Sequence, residues 1–388
     1  MTCCPVCNSR SFTQVDFVED VPVFLNRRWP TKAAAIAADV GTLSIQRCLD
    51  CGFVWNAAFD SGRVVYDQFY ENDQTHSVTF RNHLQNIADR VIAAADGRPF
   101  HLLEIGCGQG IFLKELAIRA GHLLASATGY DPAYRGGDSL AENTRIVREY
   151  FNRDTAGLMK NAPGIVVTRH TIEHVSEPVQ FLSNIRNAIE GDATILTETP
   201  DVDWILSRGE VQDLFYEHCS LFDGNSMSVA MELAGWQPLN VDRVFGGQYL
   251  CAVGKASQPK PVAMGLSQKA QGEQGFDRHK FTDRWRNAIQ TSRQPVALWG
   301  AGAKGVTFAL LTDPNRELIT AVVDINPEKQ GCFLPKSGIP IVSPRQIVEF
   351  GIQTVFAMNP NYSEEITEEL RSIGSKATVI AVDGRDRR

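Results

Sequence analysis

The sequence predicts an α/β protein in three parts: a small cysteine-bearing lead domain, a central doubly wound parallel sheet, and a second, smaller α/β unit. Three observations predict it. Two Cys-x-x-Cys pairs, Cys4/Cys7 and Cys48/Cys51, open the chain. A short apolar stretch through Leu103-Glu104-Ile105 runs into Gly106-Cys107-Gly108-Gln109-Gly110. A second such junction, Trp299-Gly300-Ala301-Gly302-Ala303-Lys304-Gly305, follows a stretch without periodicity. Strands that alternate with helices in this way close as parallel sheets.

Taken in order, residues 1–75 carry the cysteines, short β-like stretches and aromatics, and form the lead domain. A polar helical pattern from about His76 to Ala95 leads into the central domain, 76–256. There Leu102–Ile105 reads as a strand, and Ile111–Ala120 has apolar residues at helical spacing until Gly121 stops it. Ala127–Tyr130, Ile165–Thr168 and Ala193–Thr197 read as further strands. Residues 257–280, rich in Gln, Lys, Gly and Pro near their start, read as a linker. In 281–388 the strands are Pro295–Trp299, Ile319–Val323, Thr354–Ala357 and Thr378–Val382, with a helix over Ser363–Ile373.

Composition narrows the function. The chain has 388 residues and 43% hydrophobic content, enough for several ordinary cores. No apolar run reaches the roughly 20 residues that span a bilayer, and the first residues lack the layout of a signal peptide, so the expected compartment is the cytosol. In that compartment nine cysteines are expected as thiols or metal ligands, not disulfides. A net charge of -7 argues against nucleic acid, which is held by clustered Lys and Arg, and favours a small-molecule partner. The pattern fixes no oligomeric state.

Four candidate sites follow. Cys4, Cys7, Cys48 and Cys51 suit tetrahedral zinc, because each Cys-x-x-Cys turn presents two sulfurs to one side of an ion. With four thiolates bound, no position remains for a catalytic water, so the role is architectural. A redox pair or unconnected cysteines are the other readings, and Cys3 is a possible substitute ligand. Glu104, Gly106, Gly108 and Gly110 form a glycine loop between strand and helix, where backbone can approach a ligand closely. Asp131 follows Gly110 at the roughly 20-residue distance from which an acid accepts hydrogen bonds from ribose hydroxyls. Gly-x-Gly-x-Gly after a Glu differs from the dinucleotide pattern and resembles the first motif of class I methyltransferases that use S-adenosylmethionine. A purely structural glycine turn is the alternative. Arg169-His170-Thr171-Ile172-Glu173-His174 ends a strand at the crevice edge, making His170 and Thr171 candidates for cofactor contact; Glu173 and His174 serve equally well as helix caps. Finally, Phe215-Tyr216-Glu217-His218 places a phenol, a carboxylate and an imidazole together, an acid/base combination in which some members must be structural because consecutive residues cannot all point one way.

The order of these motifs, from the two cysteine pairs to Gly300-Ala301-Gly302-Ala303-Lys304-Gly305, resembles the zinc-containing sugar C-methyltransferases of deoxysugar biosynthesis, over essentially the whole chain. The resemblance implies a zinc-binding lead domain, a central class I methyltransferase sheet holding S-adenosylmethionine, and a carboxyl-terminal Rossmann-like domain that supports the substrate. It implies methylation of the carbon beside the keto group of a nucleotide-linked sugar. His218 would be the base, Glu217 and Tyr216 its neighbours, and a lead-domain tyrosine would complete the site, Tyr70 before Tyr66. The sequence departs from the family's Tyr-His-Glu-His, having Phe215-Tyr216-Glu217-His218 instead, which leaves the substrate and the accepting atom open. An O- or N-methyltransferase on the same scaffold is one alternative. Another is an NAD-dependent oxidoreductase, because Gly300-x-Gly302-x-x-Gly305 with Asp324 fits the dinucleotide fingerprint. Asn26-Arg27-Arg28-Trp29-Pro30 reads either as a phosphate-holding loop or as an exposed basic one.

Overall fold

The computed structural model describes residues 3–157, 159, 161–189, 191–261 and 276–384, so most of the expected linker, 262–275, lies outside the described residues. The lead segment holds β1 (Phe12–Pro22), α1 (Lys32–Ile36), β2 (Val40–Cys48) and β3 (Val54–Asn56). In β2, Gly41, Leu43, Ile45 and Arg47 alternate inward, the two-residue period of a strand with one face in a core. β1 and β2 pair antiparallel with Phe12 opposite Cys48, which carries the second cysteine turn back to the first.

The central part holds α2 (Val78–Ala94), β4 (Phe100–Ile105), α3 (Ile111–Ala120), β5 (Leu124–Tyr130), β6 (Ser139–Ala141), β7 (Thr144–Val147), α4 (Arg153–Ala156), β8 (Ile165–Arg169), α5 (Pro178–Asn187), β9 (Thr194–Pro200), α6 (Val202–Arg208), β10 (Ser220–Leu221), α7 (Gly224–Leu233), β11 (Trp236–Val244) and β12 (Tyr249–Ala256). Its sheet runs β11-β12-β9-β8-β4-β5-β7-β6. The five strands from β9 to β7 are parallel, and β9 is buried at every residue, as expected for a sheet covered on both faces. The sheet is nevertheless mixed, a correction to the wholly parallel expectation. β11 and β12 are joined by a short turn through Gly246 and Gly247, both at positive φ, and a turn that short allows only an antiparallel pair. β4 lies between β5 and β8, so the chain leaves it in one direction and returns on the other side, opening a crevice at the strands' carboxyl ends.

The last part holds α8 (Arg278–Thr291), β13 (Val296–Trp299), α9 (Ala303–Thr312), β14 (Ile319–Val323), β15 (Ile341–Val342), α10 (Gln346–Glu349), β16 (Thr354–Ala357), α11 (Ser363–Ser372) and β17 (Thr378–Ala381). Its sheet, β15-β14-β13-β16-β17, is parallel throughout, and Trp285, Phe308 and Phe356 fill its core. Among the described residues no helix is long and apolar enough to cross a membrane.

Polar ties bind the three parts. β10 leaves the central part to pair with β3, completing a sheet of order β1-β2-β3-β10. Arg47, 1% exposed, reaches from β2 to Asp203 (3.4 Å) and Asp223 (3.5 Å) of the central part. Asn326 donates to Glu71 (3.1 Å), Lys304 to Asp213 (2.8 Å), and Arg28 to Glu328 (2.6 Å). The Asn26–Pro30 loop is thereby accounted for: Arg27 pairs with Asp67 at 2.8 Å and lies over Phe24, Trp29 and Phe69, so both guanidinium groups have protein partners.

Removing a buried cation strands its carboxylates. Arg47→Ala is expected to lower stability by about 3–5 kcal/mol, read as a fall in the urea midpoint.

Candidate active site

The loop after β4 needs glycine. Gly106, Gly108 and Gly110 sit at φ +73°, +54° and +74°, and a Cβ on Gly106 would lie 2.0 Å from the Thr171 hydroxyl. The loop is pinned by Asp131 at the end of β5, whose carboxylate accepts from the Gly108 and Ala133 N–H groups, each at 2.8 Å. Burial raises the Asp131 carboxyl. Glu104, 1% exposed, lies behind the loop with Oε2 lacking any hydrogen-bond partner. Burial pushes its carboxyl up to about 8, with Arg169 opposing and Asp131 reinforcing the shift. Glu104, Gly106, Gly108 and Asp131 line a cavity of about 390 Å³, whereas Gly110, at the start of α3, is not part of that lining. An unpartnered buried carboxyl beside an acid with spare lone pairs fits a ligand bearing an ammonium and vicinal hydroxyls, and S-adenosylmethionine has both.

The far wall of this cavity is built from the end of β8. His170 takes a left-handed φ of +49°, and its N–H donates to the Glu198 carbonyl at 2.8 Å, which turns the chain into a 3-10 turn, Ile172–His174. Side-chain atoms of Glu173, His174 and His218 gather within 4.8 Å. His174 Nδ1 lies 2.9 Å from the Glu217 carbonyl, which can only accept, so that nitrogen carries the proton. The Tyr66 oxygen is 2.8 Å from the same nitrogen and accepts from it, leaving the phenol hydrogen free. Burial, then Tyr70 and Glu217, keeps the Tyr66 phenol well above its usual value, protonated at neutral pH.

The Phe215–His218 segment divides its side chains among three places. His218 faces the wall; its Nδ1 has no hydrogen-bond partner, and burial together with His174, His170 and Lys304 pushes it well below the usual imidazole value. The Glu217 carboxyl turns instead toward the lead domain and accepts from the Leu25 N–H at 2.8 Å; burial raises it to about 7. Tyr216 points away, its oxygen accepting from the Asp60 N–H at 3.0 Å and its ring packed on Phe59. Tyr70 stands edge-on to Tyr66 and lines the same cavity, but it is Tyr66 that contacts an imidazole. Thr171 faces the glycine loop, donating to the Arg169 carbonyl at 3.0 Å.

Sequence reading did not single out a buried group behind the wall. Glu198 of β9 receives Arg169 Nε at 2.7 Å and pairs with His83 of α2. Burial would raise this carboxyl, but Arg169, His83 and His170 hold it well below the usual range. An acid at the carboxyl end of a crevice strand was a usable signal for Glu198. His83 had none, being one polar residue on the inner face of a helix.

A second cavity, about 930 Å³, lies between the central and last parts and shares His170 and His174 with the first. His218, Phe215 and Trp204 form one side, and the Gly300–Gly305 loop and Lys304 the other. A Cβ on Gly305 would lie 2.0 Å from the Gly300 carbonyl, so this glycine serves close helix–strand contact. Asp324 accepts from the Ala301 N–H at 2.8 Å, pinning its loop as Asp131 pins the first.

At the cysteine turns the four sulfurs lie within 4.8 Å of one another, with Cys4–Cys51 at 3.7 Å and Cys7–Cys48 at 3.5 Å. Zinc–sulfur bonds of about 2.3 Å in a tetrahedron set sulfurs about 3.8 Å apart. The four residues fit that ion.

Two family models match the chain: a methyltransferase domain over residues 80–241 and a C-methyltransferase C-terminal domain over residues 278–382. Both describe methyltransferases, and neither an oxidoreductase. The chain is similar to the C-methyltransferase NovU of Streptomyces niveus, 24% identical over 289 residues that cover 69% of this chain and 68% of that protein. Among solved structures it is similar to the 1,6-didemethyltoxoflavin-N1-methyltransferase of Burkholderia thailandensis with bound S-adenosylhomocysteine, at 14% identity and TM-score 0.36, covering 47% of this chain and 82% of that one. It is also similar to the plantazolicin methyltransferase BpumL, at 12% identity and TM-score 0.37, covering 47% and 87%. The mixed sheet with its glycine loop is the α/β fold of class I methyltransferases. With both matched domains in place, the chain is an S-adenosylmethionine-dependent methyltransferase that carries a C-methyltransferase C-terminal domain.

Proposed function

We propose that this enzyme methylates the carbon beside the ketone of a nucleotide-linked deoxysugar. One observation carries the reading: His218, whose Nδ1 has no hydrogen-bond partner among the described residues and which burial holds toward its neutral form, lines a large cavity that shares wall residues with the cofactor crevice. The sugar rests on the motif resemblance and on a second cavity of about 930 Å³, within the size range of ligand sites. Glu104 would hold the cofactor's ammonium, Asp131 its ribose hydroxyls, and Gly106, Gly108, Gly110, His170 and Thr171 the remaining contacts. Bound there, S-adenosylmethionine supplies an electrophilic methyl group on a sulfonium centre. His218 removes the proton on the acceptor carbon; the protonated Tyr66 is placed to donate toward the site; and the apolar faces of Phe215 and Trp204 keep water from the enolate. Glu217 positions His218 by anchoring its segment to Leu25. Cys4, Cys7, Cys48 and Cys51 would hold one structural zinc that fixes the lead domain.

Incubation with methyl-labelled cofactor and a panel of nucleotide-linked 4-keto sugars, followed by mass spectrometry, tests the reading. Label on carbon is expected; label on oxygen or nitrogen sinks it. His218→Ala is expected to abolish solvent deuterium uptake at that carbon, whereas Tyr216→Phe, altering a side chain in the lead-domain core, leaves uptake unchanged. Because His218 is pushed below 6.5, the acid limb of kcat/KM should lie below that pH, and a limb at or above it would remove this imidazole as the base.

Glu104 gives a second pH dependence. Its folded value of about 8 exceeds the free value of 4.5, so its contribution to ligand-free stability is complete at low pH and is lost as pH rises through about 8. A cofactor ammonium favours the charged form. Affinity should therefore strengthen as pH climbs toward about 8, by at most about tenfold per unit, and Glu104→Gln should flatten that slope in calorimetric titrations. Metal analysis of purified protein should find zinc, and Cys48→Ser should lower both zinc content and melting temperature.

A further inference from the structure

The wall between the two cavities contains an imidazole nitrogen without a hydrogen-bond partner among the described residues. His170 lines both cavities, and its Nε2 is buried with no hydrogen bond. The ring is held from several sides. Nδ1 lies 3.3 Å from Glu173 Oε1, Glu173 Oε2 accepts from the Thr199 hydroxyl at 3.2 Å, and Tyr249 stands edge-on with centroids 4.6 Å apart. Nε2 is 3.8 Å from Glu198 Oε2, whose other neighbours are Arg169 and His83. Each ring nitrogen thus faces a carboxylate oxygen, and Nε2 keeps its hydrogen-bonding capacity for a ligand. The backbone at φ +49° is a conformation that non-glycine residues adopt only when their surroundings impose it.

The other side chains shared by the two walls are Asn72, Asp73, Gln74 and His174. Asp73 accepts. His174 has committed Nδ1–H to the Glu217 carbonyl, and its own shift is downward, from burial first. The amides of Asn72 and Gln74 are neutral. Phe215, with its ring centroid 3.9 Å from His218, offers no proton.

We propose that His170 is a second catalytic group, whose Nε2–H donates to the ketone oxygen of the methyl acceptor and holds the charge that develops there. The inference rests on the carbon-methylation reading above. His218 takes the proton from the carbon, the released electron pair moves onto the oxygen, and His170 hydrogen-bonds that oxygen. The pair then returns as the carbon bonds the methyl group, whose bond to sulfur breaks with its electrons left on sulfur. His218 gives its proton to solvent afterwards. His218 is thus the base and His170 the oxyanion donor, two imidazoles held in different surroundings.

His170→Asn and His170→Gly test this, since both residues tolerate a left-handed backbone. In full-length enzyme at saturating S-adenosylmethionine, each variant should melt cooperatively while kcat falls about 100- to 1,000-fold and deuterium uptake at the acceptor carbon falls in parallel. Added imidazole should partly restore His170→Gly. Either variant methylating carbon at the wild-type rate overturns His170's role alone. Wild-type enzyme that labels oxygen or nitrogen overturns the underlying function and this role with it, so the two failures are distinct.

Discussion

The pairing of Ser220–Leu221 with β3 decides which way the side chains of the preceding Phe215–His218 segment face. A two-residue strand contributes little area, yet it stitches the central chain into the lead-domain sheet immediately after His218. With that anchor in place, the Glu217 carboxyl meets the Leu25 N–H, its carbonyl meets His174, and Tyr216 is drawn into the lead-domain core. The imidazole of His218 is what remains pointing at the cavity. The cysteine turns act further back along the same sheet, holding β1 and β2 together at the end from which β3 departs.

Around this anchor, burial separates the charge states of groups that would titrate together in water. Glu104 is pushed up by burial that the more distant Arg169 offsets only in part, and Glu198 is held down against the same burial by Arg169, His83 and His170. The same Arg169 stands between the two carboxyls, contacting Glu198 directly and reaching Glu104 only through space. His218 is driven toward its neutral form. One buried carboxyl thus keeps an oxygen without a hydrogen-bond partner among the described residues, while the other is paired with Arg169 and His83.

The two α/β parts repeat one device. Asp131 and Asp324 each end the second strand of their sheet and each accept from an N–H of the glycine loop beside them. In the central part the loop borders a crevice with an unpartnered acid. In the last part, Lys304 from the same loop is tied to Asp213 and lies over Trp204, so the loop closes a shared cavity. Similar sequence punctuation therefore serves two different neighbourhoods.

Local rules determined much of this protein from sequence alone. Glycines at φ near +70°, a two-residue strand period in β2 and β9's unbroken burial are properties of short segments, and each left a readable pattern. The four thiolates, the Glu104–Gly110 loop and Asp131 were legible for the same reason. What the sequence could not express was which side chain meets which across the chain. Tyr66 over Tyr70 at His174, Glu217 turned to Leu25, Tyr216 withdrawn to Asp60, and His83 joined to Glu198 are contacts between residues up to 192 positions apart. The shared wall at His170 arises the same way. Direction along a strand is local, but partnership is set by how three sheets close on one another, and only the tertiary fold fixes that.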